Sequence, residues 1–277
     1  MSDGYVFSEL ESFYGEASFK KEREGRQKDN RTKIIKILFF ILAGVFLVEG
    51  LLYALVIPCL SPVKISVAGL QTLTNKDIQR FIDYNPGSTW VSFDSARAAS
   101  SIAVNSIVEN VVVEKKFPDQ VLIHITERKP VAVSLVTING KTVPVQIDKK
   151  GVIFSIDKGM PSGSIPLVTG FVFENPAEGM RLHAKLRPLM EQIAQIQETN
   201  PDYFSAISEI RVLPKDYGTY ELALYPIHSK TRVLTDNVLN VEALQYMMVV
   251  LDVIDSIDPQ VAEVDLRYGS ISYKNVL

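Results

Sequence analysis

Residues Ile37 to Ile57 constrain this chain more than any other stretch. They read Ile-Leu-Phe-Phe-Ile-Leu-Ala-Gly-Val-Phe-Leu-Val-Glu-Gly-Leu-Leu-Tyr-Ala-Leu-Val-Ile, are closed by Pro58, and carry a single charge, Glu49. As a helix the run is roughly 31 Å long, the thickness of a bilayer's hydrocarbon core. A helix apolar on every face over that length belongs in lipid, not at the surface of a soluble domain. The run predicts one transmembrane helix, residues 34–58 with its flanks. Lys20, Lys21, Arg23, Arg26, Lys28, Arg31, Lys33 and Lys36 precede it, whereas Lys64 alone lies just beyond. That excess keeps the N-terminus in the cytoplasm and sends the rest of the chain across the cytoplasmic membrane. The run is too long, and begins too far into the chain, for a cleaved signal peptide.

Residues 1–33 are a polar cytoplasmic tail, thin in apolar residues apart from Tyr5, Val6, Phe7, Leu10, Phe13, Tyr14 and Phe19. Such a segment does not fold by itself. It is either a solvated tail whose basic end sets topology, or a tail whose aromatic residues dock on a cytoplasmic partner. Glu49 lies too deep in the bilayer for its short side chain to reach water easily. A carboxylate there contacts a neighbouring membrane helix, or is protonated, or thins the bilayer around it.

The net charge of −3 argues against a nucleic-acid binder, which shows a basic face. One cysteine, Cys59, excludes an internal disulfide, so the outer part relies on its core.

Past the membrane, Val63–Val67 reads as a strand. Thr74 and Asp77 form a capping box with Asp in place of Glu, opening a helix with Ile78, Phe81 and Ile82 on one face. The helix stops at Tyr84-Asn85-Pro86-Gly87. A second helix is expected over Asp94–Val104, packing through Ala96, Ala99, Ile102 and Ala103. Strands Val111–Lys116 and Val121–Thr126 follow, the latter with Val121, Ile123 and Ile125 on its apolar face. This β-α-α-β-β order predicts a small sheet covered by two helices over residues 62–130.

From residue 131 a larger module begins, with a strand at Val131–Val136. Turns at Asn139-Gly140 and Lys149-Lys150-Gly151 predict a hairpin ladder. Leu182, Leu186, Leu189, Met190, Ile193 and Ile196 recur at helical spacing within Met180–Glu198. Strands are expected at Ile207–Leu213, Thr219–Tyr225 and Arg232–Leu234, and a helix over Asn240–Ile254. Strands at Val261–Tyr268 and Ser270–Tyr273 close the chain, the last of them at a sheet edge. The fold class is α+β: one N-terminal transmembrane helix, the small domain, then a larger mixed sheet domain over residues 131–277.

Catalytic signals are weak. His124, His183 and His228 lack zinc-ligand spacing, no Gly-x-Ser-x-Gly elbow is present, and Gly140-Lys141-Thr142 is better read as a hairpin turn than as the end of a phosphate loop. The reading is of a protein that is not an enzyme and takes no cofactor, metal, nucleic acid or small-molecule substrate.

Several ordered motifs carry a resemblance. They are the aromatic-Pro hairpin Phe117-Pro118, Glu127-Arg128-Lys129-Pro130-Val131-Ala132, Gln146 to Phe154 with its Asp-x-x-Gly-Val-x-Phe pattern, Ile165-Pro166-Leu167-Val168-Thr169-Gly170, and Val264-Asp265-Leu266-Arg267-Tyr268. Behind a single membrane anchor, this series resembles the bacterial cell-division family FtsQ/DivIB and its POTRA domain. The resemblance implies a division scaffold at the septum, binding the single-pass proteins FtsB and FtsL through the far domain. It points to Arg267, Tyr268, Ser270, Ile271, Ser272 and Tyr273 as contact residues, with Arg267-Tyr268 alternatively a structural pair closing the sheet. The competing reading keeps the POTRA domain but makes the chain an accessory of protein transport or secretion.

Overall fold

The computed structural model of this chain describes residues 31–257, 260–267 and 271–275. They form two compact units. The first comprises the chain up to Lys64 together with 85–93 and 115–121; the second comprises 65–84, 94–114 and the chain from Leu122 on.

In the first unit, helix α1 (Arg31–Leu60) is long and apolar enough to cross a membrane. A π-helical turn, Leu52–Val56, precedes Pro58, and the Ile57 N–H reaches back to the carbonyl of Leu52. Pro58 lacks an N–H and its ring crowds the carbonyl four residues back, which accounts for a local change of winding at this point. Immediately after α1, Pro62 bridges Thr89 and the Val63 N–H donates to the Ser88 carbonyl at 2.9 Å. The Lys64 N–H donates to the Asp119 carbonyl at 2.8 Å.

The second unit holds the larger of two sheets and most of the smaller one. Strands β1 (Lys64–Ala68), β2 (Val108–Lys116) and β3 (Gln120–Glu127) form a three-stranded sheet in the order β1-β3-β2. Helices α2 (Asn75–Phe81) and α3 (Ser95–Ala103) accompany it. The capping box is present: Thr74 Oγ1 accepts from the Asp77 N–H, and Asp77 Oδ2 accepts from the Thr74 N–H. Val121, Ile123 and Ile125 are buried, as the alternation predicts. In α3 the buried residues are Ala98 and Ile102, while Ala96 and Ala103 are exposed. With four alanines in nine residues, side-chain size does not mark the inner face.

Among the described residues the larger sheet has nine strands, in the order β12-β11-β10-β9-β8-β7-β4-β5-β6. Strands β4 (Ala132–Ile138), β5 (Lys141–Ile147) and β6 (Ile153–Ile156) make the expected antiparallel ladder. Its first turn places Asn139 and Gly140 at φ +52° and +77°, the left-handed pair that a two-residue hairpin requires. Strand β7 (Leu167–Thr169) runs parallel to both β4 and β8 (Ile207–Pro214), a pairing that local periodicity does not reveal. Strands β9 (Tyr220–Pro226) and β10 (Arg232–Thr235) follow, then β11 (Val261–Asp265) parallel to β10, and β12 (Ser272–Asn275) at the edge.

Two helices contribute to the core of this domain, α4 (Arg187–Thr199) and α5 (Val241–Ile257). Leu189, Met190, Ile193, Leu244, Met247 and Val250 pack into one cluster with Ile147, Ile153, Ile210, Leu222 and Val264. Helix α4 begins at Arg187, seven residues later than the periodicity suggests. Pro188 is tolerated only in a helix's first turn, so Leu182 is buried from the preceding loop.

Candidate partner-binding edge

The family motifs have structural work of their own. Glu127 is buried, and its carboxylate accepts the N–H groups of Gln71, Thr72 and Leu73 at 2.8, 2.8 and 3.0 Å. Burial pushes the Glu127 pKa up, but these three donors outweigh it and hold the group below its ordinary value. Arg128 donates through Nε to the Ser106 carbonyl at 2.9 Å and through Nη1 to Asp148. Asp148 in turn accepts from the N–H groups of Lys150 and Val152 at 3.0 and 2.7 Å, which shapes the β5–β6 turn. At Gly170, with φ +87°, an added Cβ would lie 1.9 Å from the Val212 carbonyl oxygen. Only glycine allows β7 to leave the sheet so close to β8.

At the opposite end, β12 is the outermost strand, and Ser272, Tyr273, Lys274 and Asn275 are all exposed. Its register against β11 sets Tyr273 opposite Val264, Ser272 opposite Asp265 and Lys274 opposite Glu263. An edge strand turns backbone donors and acceptors outward along its free side. Ile271 is 47% exposed and Tyr273 61%, so apolar surface accompanies that edge. Behind it, Glu263 accepts from Arg232 Nε at 2.6 Å, and Lys274 Nζ lies 3.5 Å from the same carboxylate.

Arg267 occupies a different setting. It follows β11 in a turn, and its N–H and Nε meet Asp265 Oδ1 at 3.1 and 2.8 Å. Its Nη1 donates to Glu221 on β9, which also pairs with Lys215. Hydrogen bonds to Asp265, strengthened by Glu221, push the Arg267 pKa further up against the opposing effect of burial. Hydrogen bonds from Arg267 lower the Asp265 pKa, again against burial. Burial works to raise Glu221, yet hydrogen bonds from Lys215 and Arg267 hold it below its ordinary value. The guanidinium therefore ties the end of β11 back to β9.

Of the six sequence-derived contact residues, Ser272 and Tyr273 lie on the edge strand and Ile271 immediately before it. Tyr268 and Ser270 lie outside the described residues, as does the tail over residues 1–30. Strand β12 starts two residues later than the sequence suggests and extends to Asn275, so Lys274 and Asn275 join the edge. Nothing in the alternation of this short stretch singles those two out. Glu221 and Lys215 are not marked by the sequence either, because Glu221 meets Arg267 from β9, 46 residues earlier, and Lys215 joins through Glu221. Glu49 is exposed on α1.

Residues 60–128 match the family described as POTRA domain, FtsQ-type. Over 202 residues the chain is 25% identical to the cell division protein DivIB of Bacillus cytotoxicus, covering 73% of each chain. It is 23% identical over 202 residues to the cell division protein DivIB of Bacillus anthracis, covering 73% of this chain and 70% of that one. Against the cell division protein DivIB of Bacillus cereus it is 25% identical over 162 residues, 58% of this chain and 57% of the relative. The POTRA match, the order of motifs and the likeness to DivIB agree: the chain carries an FtsQ-type POTRA domain and is similar to the FtsQ/DivIB cell-division proteins.

Proposed function

We propose that this chain is a non-enzymatic scaffold of cell division, anchored by α1 in the cytoplasmic membrane with its N-terminus inside and its folded domains outside, at the septum. Kinship to DivIB supports a cell-division role and, with it, a role other than catalysis. The apolar helix supports a membrane-anchored protein. The scaffold links early and late division proteins and binds single-pass partners like FtsB and FtsL. The carrying observation is β12, an exposed strand at the end of a nine-stranded sheet. A partner segment adds there as a further strand: its backbone supplies affinity, while Ile271, Tyr273 and the neighbouring Tyr268 and Ser270 supply choice. Glu49 meets a partner's membrane helix.

Proline substitution tests this reading, because proline removes one ladder donor and obstructs strand addition. Tyr273→Pro and Lys274→Pro are made separately in the full chain, since neighbouring residues direct their N–H groups to opposite sides of the strand. One of the two is expected to keep the fold and lose copurification with its membrane partners from detergent. Retention of every partner by both folded variants would overturn strand addition.

A further inference from the structure

The segment that follows α1 is pinned to two loops that carry exposed aromatic, aliphatic and basic side chains. The apolar run ends at Ile57 and α1 continues to Leu60, a rise of about 4.5 Å into a headgroup layer some 5–8 Å thick. Two residues later Pro62 bridges Thr89, and Lys64 is joined to Asp119 by its N–H and by an ion pair of 2.6 Å. A chain advances at most about 3.5 Å per residue. The Thr89 loop and the Phe117-Pro118 hairpin are therefore held at the level of the lipid headgroups.

Their surface suits that level. Val91 is 62% exposed and Phe117 57%. Phe117 meets Trp90 edge to face with centroids 5.9 Å apart, and Lys115 Nζ lies 4.8 Å from the centre of the Trp90 ring. Lys116 is exposed beside them. Asp119, the acid of this hairpin, is already paired with Lys64. Aromatic rings and aliphatic groups settle at the membrane–water interface, and flanking lysines are drawn to anionic headgroups.

We propose that Trp90, Val91 and Phe117, with Lys115 and Lys116, form a seat that rests on anionic phospholipid in the leaflet adjoining the C-terminal end of α1. The seat extends the anchor sideways, so that the first extracytoplasmic loops lie on the bilayer instead of hanging from it. It rests on α1 spanning the bilayer and is independent of β12.

Trp90 is the one tryptophan of the sequence, so its emission reports this surface directly. The full chain is reconstituted into vesicles of phosphatidylcholine and phosphatidylglycerol with brominated acyl chains, and resistance to carbonate extraction confirms insertion of α1 separately. Trp90 emission is expected to be quenched by the brominated lipid. The quenching is expected to be lost in the Val91→Asp/Phe117→Asp double variant and reduced in Lys116→Glu. Unquenched emission from the inserted wild-type chain would overturn the seat. So would equal quenching in wild type and in a double variant with unchanged circular dichroism. Should that variant lose its fold, Lys116→Glu decides: quenching that does not fall when it replaces the wild type in the anionic vesicles overturns the proposal.

Discussion

Arg128 and Asp148 form an ion pair that is almost wholly withdrawn from water, the side chains being 14% and 2% exposed. The aspartate also organises the β5–β6 turn through two backbone N–H groups, so the pair joins the end of β3 to the first hairpin of the larger sheet. Removing one partner of a buried pair strands the other charge, at a cost of about 3–5 kcal/mol. Arg128→Ala is expected to destabilise the folded domains by about 3 kcal/mol in urea unfolding, and a loss below about 1 kcal/mol would contradict this role for the pair.

Arg267 and Tyr273 should separate by phenotype. Arg267→Glu sets a new carboxylate against Asp265 and Glu221, both mostly buried; a loss of about 3 kcal/mol is expected, with partner binding lost as a consequence. Tyr273→Ser changes an exposed edge residue, and stability is expected to stay within about 0.5 kcal/mol while partner binding falls. Thermal melts run beside copurification would show the contrast. A folded Arg267→Glu that fails to bind would give Arg267 the contact role instead.

Acid should weaken the small domain through Glu127. Its folded pKa lies below the ordinary 4.5, so the stability it contributes is complete above that value and is lost as the pH falls through the folded pKa. Glu127→Gln cannot titrate. The variant is expected to be less stable at neutral pH, with a flatter stability profile below about pH 4.5. Parallel profiles for the two proteins would remove Glu127 as the cause.

Two glycines with similar torsion should respond differently to alanine. Gly159 has φ +84° and nothing within 4 Å of an added Cβ, whereas at Gly170 that atom would fall 1.9 Å from a carbonyl oxygen. Gly159→Ala is expected to cost about 1 kcal/mol, from torsion alone. Gly170→Ala should exceed it by about 2 kcal/mol or more, because β7 must shift away from β8. Chemical denaturation of both variants checks the order.

Glu49→Leu should leave α1 inserted, since leucine is more welcome in lipid than glutamate. Association with a partner's membrane helix is expected to weaken. Crosslinking that is unchanged for every partner would leave Glu49 without that role.

The elements legible in the sequence are those whose evidence is local. A long apolar run, the Thr74–Asp77 box, the Val121-Ile123-Ile125 alternation and the Asn139-Gly140 turn each declare themselves within a few residues. The inner face of α3 is not legible because alanines dominate the helix, and the start of α4 is obscured because Leu182 and Leu186 extend the helical spacing past a proline that limits it. Long-range relations left no such trace. The insertion of β7 between β4 and β8 depends on strands far apart in the chain, and the tie from Arg267 to Glu221 joins residues 46 apart in the sequence. The motif Glu127-Arg128 was recognisable as a family mark before its task was: one residue caps a loop, the next clasps a hairpin.

Strand β7 has a mechanical consequence. It is three residues long and meets β4 in register at Val133 and Leu167, whereas β8 and β9 are matched over seven residue pairs. Tension entering the sheet at β12 and leaving toward β4 must cross that narrow step. If envelope growth tugs on this protein, the sheet should yield first between β4 and β7, making a three-residue strand the limit on how much force the whole tether can bear.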